Sequence, residues 1–346
     1  MEFTLLAAIF PQIGSPVTVS FQKMTEKHLL GYDPITCHAW NRDRSQLAVS
    51  LNSNEVSIFQ SGTGRGAGWK LLHVLSDHAL RVTSLDWAPK TNRIVTCSAD
   101  RNAYVWIYDQ AEKKWKPTLV LLRINRAATC VKWSPKENKF AVGCGARLIA
   151  ICYFEEENDW WVSKHIKKPI KSTVTCVDWH PGNILLAAGS TDYKVRVYSA
   201  YVKEIEEKPA PLPWGSKMPL GQVMAEYRST SSGGGVKLFV LIHPLHSLGF
   251  GPTFKLFFAG GWVHSVSFSP SGNRLCWTSQ DSAVSVVDAS QGQQIATIRT
   301  EFQPFLRSLW LTDDVIVAAV GSGRVVIDTH SKVSAIPMLF AILFML

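Results

Sequence analysis

The sequence predicts an all-β chain built as a β-propeller, with six recognisable blades and a seventh missing. Three observations predict it. An aromatic anchor recurs at near-constant intervals, other residues stand at fixed offsets from that anchor, and short runs of alternating polarity lie between turn-forming residues. The anchor lies within TCHAWNR (36–42), TSLDWAP (83–89), TCVKWSP (129–135), TCVDWHP (175–181), HSVSFSP (264–270) and, more weakly, RSLWLTD (307–313). The anchors are Trp40, Trp87, Trp133, Trp179, Phe268 and Trp310. Successive intervals are 47, 46, 46, 89 and 42 residues, so an insertion falls within the fourth.

Each offset has a physical reading. Pro89, Pro135, Pro181 and Pro270 stand two residues past their anchors and close the strand, because proline cannot donate to a ladder. Asp100, Asp192 and Asp281 stand thirteen past, where a tight turn favours an Asx side chain. Phe59, Trp106, Cys152, Tyr198 and Val287 stand nineteen past and end runs of period two such as AYVW and VRVY. Several short strands in about 45 residues, with these aromatics, are the signature of a WD-repeat blade.

Composition narrows the function. Hydrophobic residues make up 46% of the 346 positions and Trp occurs thirteen times, ample for a packed core. The net charge of +9 favours acidic partners: nucleic acid, an anionic membrane or an acidic protein such as actin. Lysines alternate with acids in EEEND (155–159) and EIEEK (204–208) and form no continuous basic stripe, so nucleic acid is not an expected partner. Seven cysteines without a CxxC pair indicate neither a zinc site nor a disulfide framework. Cys37, Cys130 and Cys176, three residues before an anchor, read as small buried hydrophobes in a reduced, cytosolic chain. FTLLAAIF (3–10) lacks a basic flank, and AIPMLFAILFML (335–346) is twelve residues against the roughly 20 a span needs, so no membrane span is expected.

His78, Thr96, Asp100 and Trp106 form the one constellation resembling a nucleophile with its base. In a blade these types build a structural network: turn Asp to His, His to strand hydroxyl, hydroxyl to indole N–H. Asp192 and Asp281 occupy the same turn position in later units. No nucleophile elbow, metalloprotease helix, phosphate loop or carboxylate pair occurs, so the chain is read as no enzyme, with no catalytic residue, metal or cofactor.

Longer strings add a resemblance. PITCHAWNRDR (34–44), APKTNRIVTCSADRNAYVW (88–106), KPTLVLLRINRAATCVKWSPKENKFAVGCGARLI (116–149), CYFEEENDWWVSKHIKKPIKSTV (152–174) and PWGSKMPLGQVM (213–224) closely resemble subunit 1 of the actin-related protein 2/3 complex, its p40/p41 WD-repeat subunit. The likeness runs from about Pro34 to Gly235 and resumes from Gly261 to about Ala319.

The resemblance implies a non-catalytic scaffold for nucleating branched actin filaments. Its partners would be the other subunits of the complex, notably subunits 4 and 5, with the actin filament contacted indirectly, and its location the cytoplasmic actin cytoskeleton. Expected contact residues are Arg123 and Arg126 in RINR (123–126), and Trp160, Trp161, Lys164, Lys167 and Lys168 in DWWVSKHIKK (159–168), which combine Trp with base as interface hot spots do. Two alternatives stand beside this one: a non-functional truncated isoform, and a generic WD-repeat adaptor in another complex.

Three segments depart from the family and set the expected division of the chain. Residues 1–23 match nothing and are read as an N-terminal extension, with VTVSFQ (17–22) as a stray strand; 24–234 carry blades one to four and the start of the fifth. Residues 235–260 are an apolar insert. Its edges fit splice signals, so it is read either as a short intron retained in frame or as a genuine loop. Residues 261–323 carry the remaining blades, and 324–346 are a divergent tail that lacks the family's last blade and its late loop toward actin. An open ring leaves apolar blade faces without neighbours, so the expectation is a marginal, aggregation-prone chain unless the N-terminal segment or the tail supplies strands.

Overall fold

The computed structural model describes residues 30, 33–62, 68–229, 261–292, 294–299 and 304–320, with backbone at 325–326, 336–337 and 341–345. The expected stray strand at 17–22 and the apolar insert lie outside the described residues, as does the stretch where the fifth blade was expected to begin before 234. The described residues contain no α-helix and one 3-10 turn, Ala289–Gln291.

Each repeat folds as an antiparallel meander. The first sheet is β1 (Cys37–Trp40), β2 (Gln46–Ser50), β3 (Val56–Gln60) and β4 (Lys70–Leu75). The second is β5 (Val82–Trp87), β6 (Ile94–Ser98), β7 (Ala103–Asp109) and β8 (Lys114–Val120). The third is β9 (Ala128–Trp133), β10 (Lys139–Cys144), β11 (Leu148–Glu155) and β12 (Trp160–Ile166). The fourth is β13 (Val174–Trp179), β14 (Leu185–Ser190), β15 (Lys194–Ser199) and β16 (Val223–Arg228). The fifth, whole after Gly261, is β17 (Val263–Phe268), β18 (Arg274–Ser279), β19 (Ala283–Asp288) and β20 (Ile295–Arg299).

The sixth sheet differs in where it finds its strands. β21 (Phe305–Thr312) and β22 (Val315–Val320) form a hairpin. After the two-residue strands β23 (Val325–Val326) and β24 (Ile336–Pro337), which pair with each other, β25 (Ala341–Met345) adds to β22 in antiparallel register. The divergent tail therefore supplies the third strand of the sixth sheet.

The sheets stand around a common axis as propeller blades. Inner strands pack in chain order, β1 on β5, β5 on β9, β9 on β13, β13 on β17 and β17 on β21. No comparable packing joins β21 to β1 among the described residues. The second strand of a blade is covered on both faces, so β6, β10 and β14 are buried at every position, which explains their mostly apolar sequences. Close approach decides two glycines there. A Cβ on Gly143 would stand 2.6 Å from Cys130 Sγ, and one on Gly189 would stand 2.5 Å from Val263 Cγ1.

The core lies between blades. One apolar cluster joins Val95 and Val105 of the second blade to Trp133, Phe140 and Cys152 of the third. Others join the third to the fourth and the fourth to the fifth. Each buried anchor indole withdraws about 200 Å² from water, roughly 5 kcal/mol as an upper figure.

One reading of the offsets is corrected. The residue nineteen past the anchor does not end its strand: β7 runs on to Asp109 and β11 to Glu155. The outer strands prolong the ladder there, pairing Tyr108 with Trp115 and Phe154 with Trp161. Aromatic cross-strand pairs hold the extra length.

Candidate functional site

The constellation at His78 is assembled by a loop and two strands of the second blade. His78 ends up buried, its Nδ1 2.8 Å from Asp100 Oδ2 and its Nε2 2.8 Å from Thr96 Oγ1. Trp106 Nε1–H donates to the same Thr96 oxygen at 2.9 Å. Ala79 N–H donates to Asp100 Oδ2 and Asn102 N–H to Asp100 Oδ1. One proton assignment satisfies every group: Nδ1–H donates to the carboxylate, and the threonine O–H donates to Nε2. Burial lowers the His78 pKa against the opposing pull of Asp100, so the ring stays neutral. The imidazole has no free lone pair and Thr96 is fully buried, so the arrangement fixes a loop and offers no nucleophile to solvent.

The later units replace this network. Asp192 accepts from Ser190 Oγ and pairs with Arg196 at 2.9 Å, and Arg196 also reaches Glu226 at 2.7 Å. A strand arginine thus takes the place of the loop histidine. Asp281 accepts from Ser279 Oγ.

Polar side chains on the inner strands couple one blade to the next. Asp86, directly before its anchor, accepts from Trp133 N–H of the next blade at 2.7 Å. Asp178 does the same for Phe268 N–H at 2.7 Å and also takes the ammonium of Lys132. Burial raises the Asp86 pKa, and nearby Lys132 opposes this. Burial also pulls Lys132 down, but Asp178 and Asp86 outweigh it and the ammonium is held charged. These groups line a cavity of about 510 Å³ with the anchor aromatics and Pro89, Pro135, Pro181 and Pro270. Asp86, Asp178 and Lys132 were not singled out from the sequence. Their signal is a charged residue one place before three of the anchors, Trp87, Trp133 and Trp179.

A second coupling uses the turn after each anchor. Glu137, at φ 60°, accepts from Lys90 N–H, Thr91 N–H and Thr91 Oγ1 of the preceding blade. Asn183, at φ 70°, accepts from Lys136 N–H in the same way.

The expected contact residues divide between places. Trp161 faces inward, half-buried against Trp133, Phe140 and Phe154. Lys164 is tied to Glu204 at 2.7 Å and lies over the Tyr153 ring. Trp160, 57% exposed at the start of edge strand β12, is restrained only by its indole N–H to Glu155 at 3.2 Å. Arg123, Arg126, Lys167 and Lys168 lie apart from it, in the loops that lead into β9 and β13. Those loops share one end of the propeller with the turns after the second strands, to which Gly145 N–H to Ala127 O and Thr191 N–H to Thr173 O join them. Arg101, Arg147 and Lys171 are exposed at the same end.

The profile of the WD domain, G-beta repeat family matches residues 69–106 and 163–199. The chain is 56% identical over 292 residues to actin-related protein 2/3 complex subunit 1A-B of Xenopus laevis, covering 84% of this chain and 70% of that one. It is 46% identical over 286 residues to actin-related protein 2/3 complex subunit 1 of Schizosaccharomyces pombe, covering 82% and 67%. Against actin-related protein 2/3 complex subunit 1A of Arabidopsis thaliana it is 43% identical over 256 residues, covering 74% and 59%.

Proposed function

The chain belongs to the actin-related protein 2/3 complex subunit 1 family, and on that premise we propose that it is a non-catalytic scaffold subunit of that complex, supporting nucleation of branched actin filaments. The observation that carries the reading is the 56% identity sustained over 84% of the chain, far beyond what a shared repeat requires. The blade couplings suit the role. Rigid sheets bonded side to side hold several loop surfaces in fixed relation, which is what a positioning subunit needs.

Subunits 4 and 5 are the proposed direct neighbours, and the actin filament is engaged through the assembled complex. The proposed setting is the cytoplasmic actin cytoskeleton. Among the expected contact residues, the subunit contact is assigned to Trp160, because a large exposed indole on an edge strand gains most from a partner's pocket. Trp161 and Lys164 already have partners within the chain, and the loop cations form a surface of their own.

The test is affinity capture of the tagged chain from cytosolic extract, with the bound proteins identified by mass spectrometry. Recovery of the complex's other subunits, weakened by Trp160→Ala, is the expected result. Recovery of chaperones alone, or of an unrelated assembly, would overturn the proposal.

A further inference from the structure

The cations in the propeller differ in their surroundings: some have carboxylate partners, and others, such as Lys113, Lys136 and Lys217, are exposed without an ion pair among the described residues. Lys116, Lys139, Lys164 and Arg274, among others, are each held by a carboxylate, along strands or at the end that carries the anchor prolines. At the opposite end, Arg101, Arg123, Arg126, Arg147, Lys167, Lys168 and Lys171 are all exposed, and none makes an ion pair or a side-chain hydrogen bond among the described residues. Among the described residues, the acids at that end are fewer, and several of them have partners. Asp100 holds His78, Asp192 holds Arg196, Asp281 accepts from Ser279 Oγ, the exposed Asp77 shares the loop of Leu80 and Arg81, and Asp33 and Glu55 are exposed at the first blade. The second and third blades therefore present a net positive face.

Apolar side chains stand out from the same loops. Leu80 is 54% exposed beside Arg81, and Leu121 is 57% exposed two residues before Arg123. Tyr193, 40% exposed, and Trp262, 49% exposed before β17, are large aromatics exposed at the same end.

We infer that this end of the propeller docks on an anionic membrane surface. Loops at one end of a propeller lie near a plane, so they meet a flat sheet of headgroups better than a curved polymer. Spread cations draw such a surface at about 1 kcal/mol each near the headgroups, without needing a shaped pocket. Leu80 and Leu121 gain by leaving water for the acyl boundary, and Tyr193 suits the interface. A single-stranded nucleic acid would call instead for a row of stacking aromatics along a groove, and this end offers only Tyr193 and Trp262 among the described residues, on separate loops. The role lies beyond scaffolding: it would orient the propeller against a bilayer.

The test is vesicle co-sedimentation of the full chain, alone and within the assembled complex, on phosphatidylcholine vesicles with and without phosphatidylserine. The expected result is salt-sensitive binding to phosphatidylserine vesicles only. The variant R126E/K171E should lose about tenfold or more in partition while melting as the parent does. Leu121→Ser should weaken binding without changing its salt dependence. Equal binding to neutral vesicles, or an undiminished R126E/K171E, would overturn the inference. So would binding by the isolated chain but not by the complex, because another subunit would then cover the face. Tighter binding to single-stranded RNA, lost in the same variant, would reassign the face to nucleic acid.

Discussion

Lys139 and Glu206 form a buried ion pair between the third blade and the loop after β15, and removing the carboxylate tests how the chain supports it. Lys139 is fully buried, and its ammonium donates to Glu206 and to Ala200 O at 2.7 Å while lying 5.2 Å from the Trp179 ring centre. Glu206 also accepts from Val202 N–H at 2.9 Å and Asn183 Nδ2 at 2.6 Å. Burial pushes the Lys139 pKa down to about 8, against the opposing pull of Glu206. Glu206→Gln leaves the ammonium without its counter-charge, and the proton affinity falls further.

The magnitude follows from linkage. One pH unit below the wild-type value, at pH 7, loss of the charged form costs about 1.4 kcal/mol. Poorer hydrogen bonding to Val202 and Asn183 adds about 1 kcal/mol. The variant should therefore lose about 2–3 kcal/mol at pH 7 by urea denaturation. A group whose folded pKa is lowered binds fewer protons folded than unfolded, so the variant loses stability relative to wild type as pH falls. The deficit should grow by about 1.4 kcal/mol between pH 7 and pH 6 and shrink above pH 8. Lys139→Met with Glu206→Gln should return to within about 1 kcal/mol of wild type, since a buried pair exchanged for neutral groups is often tolerated. A deficit that does not change with pH, or a double variant no better than the single one, would refute the reasoning.

Other outcomes follow from the same structure. Burial pushes the thiols of Cys152 and Cys276 up to about 12 and that of Cys176 to about 11. Acids with raised folded values contribute fully below the unfolded thiol value and lose that contribution as pH rises. Alkaline melts should therefore fall by about 1.4 kcal/mol per thiol for each unit above roughly pH 8.5, less in the Cys276→Ala variant. His78→Ala should cost about 2–3 kcal/mol, because it strands Asp100 and Thr96. Since the folded His78 is held neutral, wild type should also lose stability below about pH 6.5, and His78→Asn should flatten that loss in an acid melt. Trp161→Ala should cost about 2–3 kcal/mol by denaturant titration through the gap left against Trp133 and Phe140, while Trp160→Ala stays within about 0.5 kcal/mol.

The sequence by itself determined the repeat, and through it the propeller. Trp87, Trp133 and Trp179 announce inner strands because a residue buried between blades must be large and apolar at the same place in every unit. The network at His78 was legible from its residue types within one unit, His, Thr, Asp and Trp, although the later units replace it. Tertiary structure decided the rest. Trp160 and Trp161 are adjacent in sequence, yet strand alternation sends one to solvent and the other inward, and only the pairing of β12 on β11 fixes which. The tail's return to β22 depends on register with a strand more than twenty residues earlier, which no local pattern encodes. The split between paired and unpaired cations was equally hidden. Whether a lysine meets a carboxylate depends on which side chains its strand or loop is packed beside, and composition reports only the sum.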